Sequence, residues 1–173
     1  MLSAESAVGK YPIDAVATMN RIAIEVEQDP LHAAIIHAQR IDPKATVSDA
    51  ISAAARTVAE TLDLAAIVCY TATGSTALRA ARERPQQPIL ALTPIPRTAR
   101  KLTIVWGQHC VLADDPFSLD DMVAKACRIA YQEGFAKAGE QVIVTAGVPL
   151  GKSGSTNLLR IAEVDPSEDV DLP

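Results

Sequence analysis

Aromatic residues are scarce in this sequence, where they make up only 3% of 173 residues. The hydrophobic fraction is nonetheless 49%, so a buried core must consist mainly of alanine, valine, leucine and isoleucine. Few rings and a net charge of −5 argue against general nucleic-acid binding, which uses base stacking and positive charge. No apolar run approaches the roughly 18 residues that a membrane-spanning helix requires. We therefore expect one sizeable globular domain, or one with a fragment of another, that binds neither nucleic acid nor a membrane.

Cysteine is also scarce. Cys69, Cys110 and Cys127 form an odd, widely spaced set without any C-x-x-C pair, which is typical of reduced core thiols. The first five residues have no basic stretch followed by a long apolar one, as a secretory signal would need. We expect a cytoplasmic protein.

Residues with catalytic or metal-binding chemistry form no recognisable set. His32, His37 and His109 are not spaced like metal ligands, either with one another or with the cysteines. Two acidic pairs, at 114–115 and 120–121, lie near predicted helix starts, where carboxylates stabilise the helix dipole. No Ser–His–Asp or Cys–His arrangement stands out. We therefore predict no catalytic residue and no metal site in this chain.

The sequence does contain one stretch that predicts a binding site. Residues 65–70 are a short apolar run, 71–76 are small and rich in hydroxyls, and helix formers follow until Pro85. A strand that turns into a helix in this way points N–H groups and hydroxyls at one spot, beside the positive end of the helix dipole. The residues that we expect to hold a phosphate there are Thr71, Thr73, Gly74, Ser75 and Thr76.

A second loop, at 146–156, is rich in glycine, serine and threonine and carries one lysine. It can wrap the other side of a small anion, and we predict that it does so through Gly151, Lys152, Ser153, Gly154 and Ser155. Ordinary turns without a ligand are the alternative for both loops, because these residue types are common in turns.

Residues 146–153 also read A-x-x-x-x-G-K-S, one residue away from a nucleotide-binding P-loop. The first glycine of that motif is replaced by Ala146, and a strand pattern rather than a helix follows Ser153. Only 20 residues remain after Ser153, too few for the rest of an NTPase sheet. A small NTPase therefore stays the less favoured alternative.

Strands alternate with helices from about residue 46 onwards. The pattern predicts an α/β fold with three layers, α/β/α, around an approximately five-stranded and mostly parallel sheet. The last two strands have no helix between them, so the final strand is predicted to be antiparallel and near an edge. Ligands bind beyond the carboxyl ends of the strands in such sheets, where both loops are expected to lie.

Several residues mark the predicted ends of helices. Thr46 and Ser118 are each followed three residues later by an aspartate, a spacing typical of helix N-caps. Gly139 is predicted to be a helix C-cap. Pro12 suits the first turn of a helix that Pro30 then interrupts.

These signals divide the chain into three parts. Residues 1–41 lack the alternation of strands and helices, so they form an N-terminal helical segment or the end of another domain. The domain itself spans 42–165 and begins with a short linker. The acidic end, 166–173, is expected to fray.

Two regions resemble the pyruvate kinase family. Residues 1–12, MLSAESAVGKYP, are similar to the stretch M-L-S-[GA]-E-[TS]-A-x-G-x-Y-P at the last βα loop of that family's catalytic barrel. Residues 46–164 resemble the family's C-terminal domain along their whole length, including the motifs TATGST, TP, VWG and GVP through GSTN. The resemblance covers nearly the entire chain, and it implies that residues 1–41 are a remnant of the barrel end.

The resemblance implies an activity for the whole enzyme. The family transfers phosphate between phosphoenolpyruvate and ADP, giving pyruvate and ATP in glycolysis, with Mg²⁺ and usually K⁺. Its catalytic lysine, catalytic threonine and acidic metal ligands belong to the barrel, and none of their motifs is present here. We therefore expect no cofactor in this chain, and no catalysis without the rest of the enzyme.

The resemblance also implies regulation. The C-terminal domain of the family is allosteric in many members, with an effector phosphate in a T-x-[ST]-G-x-[ST] loop that corresponds here to residues 71–76. The loop before the last strand, here about 151–155, closes over the sugar. Ala72 stands where some members that respond to fructose 1,6-bisphosphate have a basic residue, which favours a sugar monophosphate or AMP, or no effector.

The implied partners are the remainder of the pyruvate kinase chain and further copies in a homo-oligomer. Two alternatives stay open: a ligand-free oligomerisation module, and a free-standing protein that binds a phosphorylated metabolite.

Overall fold

The computed structural model describes residues 1–39, 42–150 and 155–165. The chain divides into two compact units, Met1–Ile41 and Asp42–Pro173. The first unit contains helices α1 (Ala4–Ala7), α2 (Pro12–Gln28) and α3 (Pro30–Ala38). Pro12 lies in the first turn of α2, where its missing N–H has no helical partner to lose. That this unit derives from the end of a catalytic barrel stays a prediction.

The second unit alternates helices with strands. In chain order its elements are α4 (Val47–Thr61), β1 (Ala66–Tyr70), α5 (Ser75–Arg82), β2 (Ile89–Thr93), α6 (Pro96–Leu102), β3 (Gln108–Leu112), α7 (Leu119–Gln132), β4 (Gln141–Gly147) and β5 (Thr156–Glu163). The α/β fold expected from the sequence is confirmed.

One five-stranded sheet has the order β3-β2-β1-β4-β5. Strands β1 to β4 are parallel, and β5 pairs antiparallel with β4 at one edge, as predicted. Ile67 of β1 lies opposite both Ile89 of β2 and Ile143 of β4. The chain first moves outward from β1 to β3 and then returns to the other side of β1. Open sheets bind ligands at the carboxyl end of such a reversal.

The core lies on both faces of the sheet. On one face, Met122, Ala126 and Ala130 of α7 pack in one cluster with strand residues such as Val68. On the other face, alanines of α4 and α5 and Leu102 of α6 pack in a second cluster with Ile67 and Cys69 of β1. This arrangement is the predicted three-layer α/β/α order. Small side chains allow the helices to approach the sheet closely, so the core needs few aromatic rings.

Both predictions of a helix N-cap residue are correct. Thr46 Oγ1 accepts a hydrogen bond from the backbone N–H of Asp49 at 3.2 Å, and Ser118 Oγ accepts one from Asp121 at 3.1 Å. The Gly139 prediction is wrong, because α7 ends at Gln132 and the left-handed residue that follows it is Gly134, with φ +77°. Gly134 is the second residue after the end of α7, where a left-handed glycine commonly follows a helix.

Three cysteines are free thiols in this structure. Cys69 and Cys127 are buried, as expected for core thiols, whereas Cys110 on the edge strand β3 is half-buried. Burial raises the pKa of the Cys69 thiol to about 11, so this group is neutral in the folded protein.

The carboxylate of Asp49 joins α4 to α5. Its Oδ1 lies 3.2 Å from Nε of Arg79 and 3.2 Å from an Nη of Arg82, both on α5. Burial alone would raise the pKa of Asp49, but a hydrogen bond and the charge of Arg82, together with the charge of Arg79, lower it below its ordinary value. The sequence indicated only a capping role for Asp49. The structure adds an ionic link that orients α5.

Asp49→Asn removes the charge that Arg79 and Arg82 contact, and we expect it to destabilise the protein at neutral pH. Because the pKa of Asp49 is lowered on folding, its stabilisation is complete above the ordinary value of 3.8 and is lost as the pH falls through the lower folded value. Urea denaturation should therefore show a larger loss of unfolding free energy at about pH 7 than at about pH 3.

Asp120→Asn is the matched control, because that carboxylate is 91% exposed and lies 3.7 Å from an exposed Arg160. Surface pairs of this kind contribute little. An Asp49→Asn loss that stays the same across this pH range, or that Asp120→Asn reproduces, contradicts the ionic link.

Candidate functional site

A cavity of about 380 Å³ opens beyond the carboxyl ends of β1 and β4. Its lining includes Thr71, Thr73, Ser75 and Thr76 from the loop after β1, and Ser155 from the loop before β5. The two hydroxyl-rich loops therefore meet at one place. The volume lies at the lower end of the range for small-molecule sites, which suits a small phosphorylated metabolite.

Four of the predicted residues, Gly151, Lys152, Ser153 and Gly154, lie outside the described residues. The neighbours on either side of them, Leu150 and Ser155, both line the cavity.

The loop after β1 is shaped by Gly74. Gly74 adopts φ +90°, and a Cβ there would lie only 3.3 Å from Cδ2 of Leu102, so a side chain would be both strained and crowded. Its backbone N–H donates a hydrogen bond to Thr71 Oγ1 at 2.9 Å. From outside the loop, Thr98 Oγ1 donates to the carbonyl oxygen of Ala72 at 2.8 Å. These contacts hold the loop against α6.

The N-terminus of α5 faces this loop. The helix begins at Ser75, and no side chain caps its first turn because the N-cap residue is Gly74. An uncapped helix start presents backbone N–H groups and a partial positive charge, which together attract anions. The hydroxyls of Thr73 and Ser75 lie 3.3 Å apart beside it. This is the part of the cavity best suited to a phosphate.

A buried hydroxyl pair connects the two loops. Oγ1 of Thr76, in the first turn of α5, lies 2.7 Å from Oγ1 of Thr156, the first residue of β5. Both residues are buried. The sequence predicted Thr76 as a phosphate contact, but its hydroxyl already has a partner here. Like Thr71, whose hydroxyl closes the turn at Gly74, it positions the loop.

The ends of the β4–β5 connection are fixed to each other. The backbone N–H and carbonyl oxygen of Val148 each bond the side-chain amide of Asn157, both at 2.7 Å. A Cβ at Gly147 would come within 2.7 Å of the carbonyl oxygen of Ser155, so the two backbones pass too closely for a side chain. The second loop therefore starts and ends at the cavity wall.

Other lining residues were not predicted from the sequence, and they are Tyr70, Ala72, Leu92, Asp115, Pro116, Ala146, Gly147 and Leu150. The hydroxyl of Tyr70 donates to the carbonyl oxygen of Met122 at 2.9 Å, so its ring serves as cavity wall. Burial, with the nearby charge of Asp121, raises the pKa of Tyr70, which keeps this hydroxyl protonated.

Asp115 was interpreted from the sequence as a helix-dipole residue of α7. That interpretation is wrong for Asp115, because α7 begins at Leu119 with Ser118 as its N-cap. Asp115 instead lines the cavity. Its position just after β3, at the same edge of the sheet as the two loops, is the signal that could have identified it.

The charge of the cavity wall is unusual for an anion site. Within residues 42–150 and 155–165, the lining holds no lysine, arginine or histidine, and Asp115 is its one ionisable carboxylate. For the described wall, attraction for an anion must therefore come from the start of α5 and from hydroxyls.

In the described part of the chain, no three histidine, cysteine, aspartate or glutamate side chains come together as a metal site would require. His109 Nε2 lies 2.8 Å from a carboxylate oxygen of Glu133 on the surface. No described helix combines the length and the apolar character needed to cross a membrane.

The P-loop alternative lacks its structural context. A P-loop places its lysine and hydroxyl at the start of a helix that follows a strand. The first element described after residue 153 is the strand β5, which pairs antiparallel with β4. The geometry therefore argues against a nucleotide-binding P-loop here.

Comparisons with known proteins agree on one family. The family model described as "Pyruvate kinase, alpha/beta domain" matches residues 49–162. The pyruvate kinase of Methylorubrum extorquens is 51% identical over 95% of this chain and 34% of its own length. That of Geobacillus stearothermophilus is 40% identical over 93% of this chain and 27% of its own length. The chain thus spans about a third of the length of the curated relatives it matches.

A solved structure gives the same result for the fold. The crystal structure of a pyruvate kinase from Cryptosporidium parvum superposes with a TM-score of 0.82 at 29% identity. The superposed part covers 95% of this chain and 33% of the Cryptosporidium parvum chain.

The hydroxyl pair between Thr76 and Thr156 leads to a test of how the loops are coupled. Thr76→Val or Thr156→Val alone leaves one buried hydroxyl without a partner, and we expect each to cost about 1 to 2 kcal/mol of unfolding free energy. The double variant removes both hydroxyls and should lose much less than the sum. Urea denaturation of the four proteins measures this. Strictly additive losses contradict the coupling.

Proposed function

The chain belongs to the pyruvate kinase family, as its C-terminal α/β domain, and from that premise we propose that it binds a phosphorylated metabolite that regulates the enzyme. In the complete enzyme the reaction would be phosphate transfer between phosphoenolpyruvate and ADP. The observation that carries the proposal is the cavity where two hydroxyl-rich loops meet beside the uncapped start of α5.

Each part of the loop after β1 has a role in this proposal. The phosphate accepts hydrogen bonds from the first-turn N–H groups of α5 and from the hydroxyls of Thr73 and Ser75. Gly74 allows the turn that directs those N–H groups, while Thr71 and Thr76 hold the loop through their own hydrogen bonds. Lys152 is proposed to add the cation that the described wall lacks.

The ligand class follows from size and charge. A cavity of about 380 Å³ suits a small phosphorylated metabolite. Ala72 offers no positive charge for a second phosphate, and neither does any other described lining residue. A sugar monophosphate or AMP is therefore favoured over fructose 1,6-bisphosphate.

A negative charge introduced at position 75 should prevent phosphate binding. Calorimetric titration of the chain with ribose 5-phosphate, glucose 6-phosphate, AMP and fructose 1,6-bisphosphate is expected to detect at least one ligand. Ser75→Asp places a negative charge at the start of α5, and we expect it to abolish that binding through like-charge repulsion.

Gln86→Asp is the control for this experiment, because it adds the same charge at an exposed position beyond the other end of α5. It should bind as the unchanged protein does. Absence of binding for all four compounds, or equal binding by Ser75→Asp, contradicts the proposal.

A second candidate function, assembly, is favoured by the surface of α2. Val16, Met19 and Val26 share one side of this helix with Ala23 and are 44% to 50% exposed. Apolar side chains that share an exposed face commonly mark protein–protein contacts. We propose that this side contacts a second copy of the chain when the rest of the enzyme is absent.

Sedimentation velocity over a range of concentrations tests the assembly candidate. Self-association is expected for the unchanged chain, and Val16→Glu should weaken it by placing a charge in the apolar contact. Gln28→Glu adds the same charge at an exposed polar position on the opposite side of α2 and serves as the control. A chain that stays monomeric at every concentration contradicts this candidate.

A further inference from the structure

The cavity has two chemically different sides. One side is the hydroxyl-rich loop 71–76, which leads into α5, and the other includes Asp115 and Pro116, which lead from β3 into α7. These helices pack on opposite faces of the sheet, α5 in the cluster with Ile67 and α7 in the cluster with Val68. A ligand that fills the cavity thus meets hydrogen-bond donors from the loop on one face of the sheet and a carboxylate from the segment on the other face.

Asp115 has no structural partner that would explain its charge. Its exposed carboxylate makes no hydrogen bond or ion pair with the described residues, whereas the two carboxylates in the first turn of α7 are engaged. Asp121 accepts from the N–H of Phe117 at 3.0 Å and lies 2.9 Å from Nζ of Lys125. Asp120 lies 3.7 Å from Arg160. The carboxylate of Asp115 is therefore available to a ligand.

We propose that Asp115 determines which phosphorylated compound the cavity accepts. An ionised carboxylate only accepts hydrogen bonds, so it suits the hydroxyl groups of a sugar. A second phosphate group is also an acceptor with negative charge, and it would be repelled at the same place. The ligand class is a sugar monophosphate with free hydroxyls, its phosphate at loop 71–76 and its hydroxyls at Asp115.

This inference rests on the proposed function, because it assumes that loop 71–76 holds the phosphate. It goes further by assigning selectivity to a residue in the β3–α7 connection. Among the described lining residues, no lysine, arginine or histidine accompanies Asp115, and the proposed function assigns Lys152 to the phosphate at loop 71–76.

The test compares three probes by calorimetry on the full chain. They are glucose 6-phosphate, fructose 1,6-bisphosphate and ethyl phosphate, which has no alcohol hydroxyl. The unchanged protein should bind glucose 6-phosphate about tenfold more tightly than either of the others, in line with one or more charge-assisted hydrogen bonds. Asp115→Asn should weaken the binding of glucose 6-phosphate and strengthen the binding of the bisphosphate. Asp115→Lys should reverse the preference and favour the bisphosphate.

The change in affinity for ethyl phosphate measures the general effect of removing one negative charge. The affinity for the bisphosphate must therefore rise more in Asp115→Asn than the affinity for ethyl phosphate does. Asp114→Asn is the matched control, because Asp114 is the adjacent residue and lines a different cleft. It makes the same charge change and should leave the ratio of the two sugar phosphates unchanged.

The two proposals fail in different ways. Suppose that glucose 6-phosphate and the bisphosphate both bind and that Ser75→Asp abolishes the binding of each. If neither Asp115 variant then changes the ratio of their dissociation constants, the selectivity proposal is overturned and the phosphate site stands. If none of the probes binds to the unchanged protein, the phosphate site itself is wrong. A ratio that shifts equally in Asp114→Asn also overturns the role of Asp115.

Discussion

The tight turn at Gly74 is the constraint on which the rest of this structure depends. Its left-handed backbone and the hydrogen bond to Thr71 end the chain's course along β1 and start α5 directly. The start of α5 is then fixed to β5 through the Thr76–Thr156 hydroxyl pair, and its other half to α4 through Asp49. One turn thereby sets the position of a helix that is linked to both the edge strand β5 and α4.

The order of the strands explains why a site forms at this turn. Because the chain reverses its direction across the sheet at β1, the loops after β1 and β4 lie side by side. The parallel strands all end at this edge, so the segment after β3 also reaches the cavity with Asp115. Three connections that are far apart in sequence thus contribute to one wall, with an uncapped helix start as its source of positive charge.

Much of this arrangement could be predicted from the sequence, because it depends on local patterns. Hydrophobic periodicity and the alternation of elements predict five strands in three layers, and the caps at Thr46 and Ser118 follow from a three-residue spacing. Partners from distant parts of the chain could not be predicted. Asp49 has the spacing of a capping residue, but its carboxylate contacts arginines 30 or more residues later. The hydroxyl partner of Thr76 and the place of Asp115 in the cavity wall could not be predicted for the same reason.

The central claim is that one anion contacts both loops at the start of α5. It is tested most directly by following backbone amide resonances in ¹H–¹⁵N NMR spectra while glucose 6-phosphate is added. We expect the amide resonances of Ser75 and Thr76 and those of Ser155 and Thr156 to shift together and to saturate with a single dissociation constant. Shifts confined to one loop, or located away from the cavity, would contradict it.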